Sequence, residues 1–291
     1  MNNTPTIAKE SENCPMMPDF VPAAESLSKP EFHCHFCGSS KLTPAFTFPD
    51  WLKRATQIYL CRECSCLIPC YDLDASRPAV LRLQTEFWEA QWPDLTIAEA
   101  ERLAVDCAGI ANYYAPWLKA EGGLLLEIGA GRGGLMEALR RQGFTVMGCE
   151  PAVRLAELAR NAFGFDEKTL HLAEAEVFLK RLCIARQRAQ AVFLWHVLEH
   201  IPEPYSLLRR VAGILNDGGF LIGQVPLLDR DYIYEAHLVF LNEPAFHHAA
   251  LKCGFTVEQF NYDINNRFMG FVLKKAVARR SPFEIELPPI I

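Results

Sequence analysis

The chain has 291 residues, half of them hydrophobic and 22% charged, with a formal net charge of −6. That composition excludes global disorder and supports either one large domain or a large and a small one. A pI near 5.8 lacks the basic footprint of a general nucleic-acid binder, and no apolar run reaches the ~20 residues that cross a bilayer.

Residues 1–28 are rich in Asn, Thr, Pro, Ser and Glu without periodicity, which predicts a disordered tail. No charged stretch followed by an apolar one opens the chain, so no signal peptide is predicted, and the expectation is a cytoplasmic protein with no membrane partner.

Residues 29–75 concentrate six of the eleven cysteines. Cys34-His-Phe-Cys37-Gly and Cys61-Arg-Glu-Cys64 are two Cys-x-x-Cys pairs with 23 residues between them. In a reducing compartment such clustering points to metal rather than disulfides. Two pairs of this kind supply four thiolates in a tetrahedron, so Cys34, Cys37, Cys61 and Cys64 are the candidate ligands of a structural zinc ribbon. Cys66, Cys70, His33 and His35 are spare donors within the same segment. The segment balances five Lys/Arg against five Asp/Glu, so it offers no excess positive charge for phosphates.

Residues 76–120 read as a helical connector or lid. A helical pattern begins at Ala79, and a second runs from Ile97 to Trp117, with apolar residues recurring at helical spacing. Phe87–Trp92 and Tyr113–Trp117 are aromatic clusters that could cover an acceptor, although such spacing more often serves packing.

From residue 121 to about 280, short apolar runs alternate with helical stretches. Strands are predicted at 124–128, 145–149, 170–172, 191–196, 220–225, 256–260 and 270–274. Helices are predicted at 135–141, 153–163, 175–186, 205–215 and 243–253. This alternation implies a doubly wound, mostly parallel seven-stranded α/β sheet, followed by a C-terminal tail at 281–291.

The first strand ends in Glu127-Ile-Gly129-Ala-Gly131-Arg-Gly133 and runs into a helix. Glycines allow a sharp turn and close approach to a ligand, and the following helix offers unpaired N–H groups. Glu127 precedes the first glycine by two residues, and Glu150 ends the next strand, where a carboxylate can accept both hydroxyls of a ribose. The spacing is Gly-x-Gly-x-Gly, not the Gly-x-Gly-x-x-Gly of nicotinamide-binding proteins.

This arrangement resembles the class I S-adenosylmethionine-dependent methyltransferases, from about Leu124 to Lys275. Phe193-Leu-Trp-His-Val-Leu-Glu-His-Ile-Pro-Glu-Pro204 is similar to their fourth-strand signature ending in Leu-Glu-His. Gly213–Pro226 is similar to their Gly-Gly turn and fifth strand, and Phe246–Phe255 to the helix and turn before their last two strands. The resemblance implies a Rossmann-like fold that binds S-adenosylmethionine. Gly129, Ala130, Gly131 and Gly133 would line its methionine and ribose, Glu127 would be the acidic residue of the cofactor-binding motif, and Glu150 would hold the ribose diol. Glu174 and Ala175 would meet the adenine, unless Glu174 and Glu176 are only first-turn charges favoured by the helix dipole. Trp195 would face the cofactor from the fourth strand end.

Methyl transfer from a sulfonium needs chiefly alignment, and a base only when the attacking group carries a proton. Histidine suits that task near neutrality, which makes His196, His200 and His237 the candidates; the alternative is that they are structural. The cysteine segment is also similar, more loosely, to zinc ribbons of bacterial methyltransferases that modify sugars and other small molecules. The resemblance therefore implies a small-molecule acceptor, a sugar or secondary metabolite among them. An RNA or protein methyltransferase gripping its substrate with the ribbon, and a non-catalytic zinc- and cofactor-binding scaffold, are the alternatives. Oligomeric state is not legible.

Overall fold

The computed structural model describes residues 33–50, 53–70, 96–118, 123–234 and 236–277. The expected terminal tails, the helical pattern beginning at Ala79 and the aromatic cluster Phe87–Trp92 lie outside the described residues.

The cysteine segment forms a three-stranded antiparallel sheet, ordered β1 (Leu42–Pro49), β2 (Ala55–Cys61) and β3 (Leu67–Pro69). Each Cys-x-x-Cys pair closes as the same turn. The Gly38 N–H donates to the Cys34 carbonyl at 2.8 Å, and the Ser65 N–H donates to the Cys61 carbonyl at 2.9 Å. Both turns thereby direct their thiols inward.

Helix α1 (Ile97–Tyr114) starts on a reciprocal cap. Thr96 accepts from the Glu99 N–H, and the Glu99 carboxylate accepts from the Thr96 N–H. Its buried stripe is Ala100, Ala104, Cys107, Ile110, Ala111 and Tyr114. The sequence predicts a helix as far as Trp117. The α-helix instead ends at Tyr114 and tightens to one 3-10 turn, Ala115–Trp117, with Pro116 inside it, because proline cannot donate the next helical hydrogen bond.

The remaining elements alternate: β4 (Leu124–Ile128), α2 (Gly134–Arg141), β5 (Thr145–Glu150), α3 (Val153–Phe163), β6 (Leu170–Leu172), α4 (Ala175–Ile184), β7 (Ala189–Trp195), α5 (Pro204–Ile214), β8 (Leu215–Pro226), α6 (Glu243–Cys253), β9 (Phe255–Tyr262) and β10 (Phe268–Lys275). They build one seven-stranded sheet in the order β6-β5-β4-β7-β8-β10-β9, with only β10 running antiparallel to both of its neighbours. This is the Rossmann-like, doubly wound sheet that the alternation implies. Both faces are covered, so β7 alternates between two cores. Ala191 and Phe193 pack with α1, α2 and α3 residues, and Val192 and Leu194 with α4, α5 and α6 residues.

One strand differs from expectation. Asn216–Gly219, read as a turn closing α5, lies within β8. Ala189 pairs with Leu215 and Ala191 with Phe220, so the four residues bulge out of a strand that resumes beyond them.

The small sheet joins the large domain through backbone and core. Leu67 and Phe240 exchange both backbone hydrogen bonds, at 3.0 and 2.8 Å. Asn242 Nδ2 donates to the Ser65 carbonyl at 2.7 Å. Phe36 meets the Tyr205 ring edge-on at 4.9 Å. Cys34, Phe36, Cys61, Cys64, Cys66 and Ile68 thus share a buried cluster with the α5–α6 face. Among the described residues no helix is long and apolar enough to cross a membrane.

Candidate active site

In an open parallel sheet, ligands gather beyond the carboxyl ends of the strands, where the strand order reverses. Here the reversal lies between β4 and β7, and the glycine loop follows β4. The Gly129 and Ala130 N–H groups both donate to the Cys149 carbonyl, at 2.9 and 3.0 Å, which folds the loop back over β5. Gly131 adopts φ +52°, and a Cβ placed there would meet nothing within 4 Å. Its backbone therefore borders open space on a conformation that L side chains rarely adopt.

Glu150 clasps this loop. One carboxylate oxygen accepts from the Gly131 N–H at 2.8 Å and the other from the Ala152 N–H at 2.9 Å. Burial pushes its carboxyl up to about 7, against those two N–H groups, which favour the charged form. Each oxygen keeps a further lone pair for a ribose hydroxyl.

Glu127 is buried beneath the loop, and burial pushes it up to about 8. Its Oε2 has no hydrogen-bond partner among the described residues. Trp195, at the end of β7, likewise keeps a buried indole N–H without a partner among them. These orphaned groups and the open cradle at Gly131 fit a polar ligand spanning β4, β5 and β7. Glu174 is exposed as the cap residue before α4, and Ala175 is its first helical residue, beside the β6 end. The sequence-predicted cofactor residues are therefore all brought to one edge of the sheet.

The three candidate histidines take different positions. His196 follows β7 with φ +54°, an uncommon conformation for a non-glycine residue. Its Nε2 lies 3.0 Å from Gln224 Oε1, and its side chain is 32% exposed. His200 and His237 are buried, with Nδ1 of each 2.7 Å from a carbonyl oxygen, of Ala236 and Tyr232 respectively. Burial holds both imidazoles below their ordinary range, His237 well below it.

Sequence reasoning did not place Glu199, Gln224 or Tyr234 in the site. Glu199 is 1% exposed, with Oε1 3.5 Å from His196 Nδ1 and 4.0 Å from His200 Nε2. A carboxylate lying between His196 and His200 in the sequence was the available signal. Of the aromatic cluster at the end of α1, Tyr114 is core. Its hydroxyl donates to Asn261 Oδ1 at 3.1 Å, and its ring lies 6.0 Å from that of Trp195.

At the other cluster, Cys34, Cys37, Cys61 and Cys64 have sulfurs all within 4.8 Å of one another. Cys34 and Cys64, and Cys37 and Cys61, are each 3.6 Å apart, near the about 3.8 Å that four sulfurs around zinc require. Cys66 is a fifth buried sulfur, 3.4 Å from Cys34 and 3.2 Å from Cys64. Cys70 is exposed at the end of β3, and His33 and His35 are not in this group. The four-thiol set fits a closed tetrahedral ion.

A family model described as a methyltransferase domain matches residues 100–260, more than half of the chain. The ubiquinone biosynthesis O-methyltransferase of Xanthomonas campestris pv. campestris is 28% identical over 147 residues, covering 48% of this chain and 55% of that protein. The chain thus spans about half the length of the curated relatives it matches.

Two solved structures share the fold. The 1,6-didemethyltoxoflavin-N1-methyltransferase of Burkholderia thailandensis has a TM-score of 0.52 and 16% identity, covering 74% of this chain and 98% of that one. A SAM-dependent methyltransferase from Archaeoglobus fulgidus has a TM-score of 0.50 and 16% identity, covering 59% and 94%. With the glycine loop, the Glu150 clasp and the strand order in agreement with that match, the chain belongs to the methyltransferase-domain family.

Proposed function

We propose that the protein transfers the methyl group of S-adenosylmethionine to a small-molecule acceptor. The observation that carries this reading is the Gly129–Gly133 loop, held open at Gly131 and clasped by Glu150 at the switch point of the sheet. In this reading Gly129, Ala130, Gly131 and Gly133 border the methionine and ribose, Glu150 accepts from the ribose diol, and Glu127 supports the loop from below. Glu174 and Ala175 meet the adenine, and the Trp195 N–H faces the methionine end. When bound, the sulfonium supplies an activated methyl group, so the chain's own contribution is alignment and exclusion of water.

His196 is the base in this reading when the attacking group carries a proton, because it is the most exposed of the three histidines and its ring is held by Gln224. His200 and His237 then hold the turn after β7 against the loop after β8. The named activity of the curated relatives makes oxygen acceptors the first class to test. The charge balance of residues 29–75 favours a small molecule over RNA.

Residues 29–75 act in this reading as a zinc ribbon whose four thiolates, those of Cys34, Cys37, Cys61 and Cys64, hold a structural ion. A closed four-thiolate site leaves no coordination position for chemistry. The ribbon's contribution is mechanical: Leu67 and Ser65 hold Phe240 and Asn242, in the same segment that carries His237.

Calorimetric titration with S-adenosylhomocysteine tests the cofactor assignment, and methyl transfer from labelled S-adenosylmethionine to a panel of hydroxylated metabolites tests the activity. Saturable binding and transfer are expected. No binding at millimolar cofactor would remove the proposal, and binding without any transfer would favour a scaffold.

A further inference from the structure

Glu199, His200 and His237 meet from two distant stretches of chain. Glu199 and His200 lie in the turn after β7, and His237 lies in the loop after β8. One donor atom from each lies within 4.8 Å of the others, and all three residues are buried.

The hydrogen bonds of the two histidines fix which nitrogen faces inward. A carbonyl oxygen can only accept, so Nδ1 of His200 carries a proton toward the Ala236 carbonyl, and Nδ1 of His237 toward the Tyr232 carbonyl, each at 2.7 Å. In the neutral imidazole the lone pair then sits on Nε2. The Tyr234 hydroxyl, 2.9 Å from His237 Nε2, donates to that lone pair, and an ion bound there takes its place. A carbonyl holding the outer ring nitrogen is how proteins orient metal-binding histidines.

The third donor is the stronger sign. Glu199 is 1% exposed, and neither carboxylate oxygen has a hydrogen-bond partner among the described residues. A buried carboxylate needs compensation by hydrogen bonds, a proton or a cation. Around it the fold places imidazole nitrogens: His200 Nε2 at 4.0 Å and His196 Nδ1 at 3.5 Å from Oε1. The Leu238 N–H donates to the Glu199 carbonyl at 2.9 Å, which pins the two stretches together beside the cluster.

We infer that Glu199, His200 and His237 form a second metal site, distinct from the cysteine cluster, for a divalent transition-metal ion. Two imidazoles and a carboxylate suit zinc or iron(II) better than magnesium, which prefers all-oxygen sites. Three protein donors leave coordination open. His196, partly exposed, turns its Nδ1 toward the same carboxylate. The role of this ion at the acceptor end of the site rests on the methyl-transfer reading; its binding does not.

Cobalt(II) distinguishes the two sites in the full-length protein. Ion in the cysteine cluster gives intense thiolate-to-metal charge-transfer bands, whereas ion held by Glu199, His200 and His237 gives only weak visible d–d bands. The expected result is two cobalt ions per chain, one of each type. Glu199→Gln, which keeps the shape, is expected to weaken the second ion by at least about tenfold while leaving the charge-transfer bands and S-adenosylhomocysteine affinity intact. His237→Gln should behave likewise. If His237→Gln does not fold, the wild type alone decides, since a second equivalent of cobalt should raise its melting temperature.

One cobalt per chain, all of it thiolate-bound, would overturn the inference. So would a second ion held equally by Glu199→Gln. None of these readouts uses methyl transfer, so failure of the proposed activity would leave them interpretable.

Discussion

Glu150 and Glu199 are both buried carboxylates beyond the carboxyl ends of strands in one sheet, yet their surroundings are opposite. Glu150 receives two backbone N–H groups from its own βα units, at Gly131 and Ala152. Glu199 receives none among the described residues and faces imidazoles instead. The cofactor side is thus completed by backbone that the βα units themselves supply. The surroundings of Glu199 are completed by side chains from a loop that a separate small sheet pairs with. The first arrangement suits a ligand common to a family, and the second suits one that varies.

The largest expected effect breaks the support of the loop after β8. Chelation, or Cys34→Ser with Cys61→Ser, should abolish amide-exchange protection in β1–β3 and reduce it at 236–242, with a fall in melting temperature of at least about 5 °C. Unchanged protection at 236–242 would mean that the Leu67–Phe240 pairing does not brace that loop. On the cofactor side, Glu150→Ala should weaken S-adenosylhomocysteine about 10–100-fold by calorimetry, the loss of a charged hydrogen-bonding partner. An unchanged Kd would remove the ribose assignment.

The raised pKa of Glu150 sharpens the same point through pH. A protonated carboxyl is a poorer acceptor for two hydroxyls, so cofactor affinity should fall as pH drops below about 7, by up to about tenfold per unit. Stability of the cofactor-free protein should run the other way. Carboxyls raised from 4.5 to about 7 at Glu150 and about 8 at Glu127 contribute stability that is full below 4.5 and is lost as pH rises through 7 to 8. Denaturant midpoints measured between pH 5 and 8 check this, and a midpoint that rises across the window would contradict it.

Gly131→Ala tests the cradle at smaller cost. The φ of +52° should cost about 1 kcal/mol of stability, with no clash to add to it. Cofactor affinity should fall by more than that strain predicts if a ligand passes over the backbone here. The smallest effect is expected at Tyr114→Phe, which removes the hydroxyl from Asn261 and should cost about 1 kcal/mol in denaturant unfolding, with cofactor affinity unchanged.

The alternation of strands and helices from Leu124 onward was readable because both faces of the sheet are covered and each element carries its own apolar period. The glycine loop and Glu150 were readable because their spacing is set within one β-loop-α-β stretch. The bulge at Asn216–Gly219 was misread as a turn, since Asn-Asp-Gly-Gly permits both and only the pairing of β7 with β8 decides. The end of α1 was placed too late because apolar spacing continues through Trp117 while Pro116 stops the hydrogen bonding. Glu199 showed in the sequence only as a carboxylate between two histidines, because its significance is the lack of a hydrogen-bond partner among the described residues, a property of packing.

The sequence by itself determined the class of fold, the position of the glycine loop after β4 and the four thiols that can share an ion, because each depends on residues close in the chain or on a repeated spacing. Only the tertiary structure decided that the cysteine sheet braces the loop after β8, that Cys66 sits among the thiols, and that Glu199 meets His200 and His237. Those groupings depend on burial and on which carbonyl each imidazole finds, which a linear pattern does not encode.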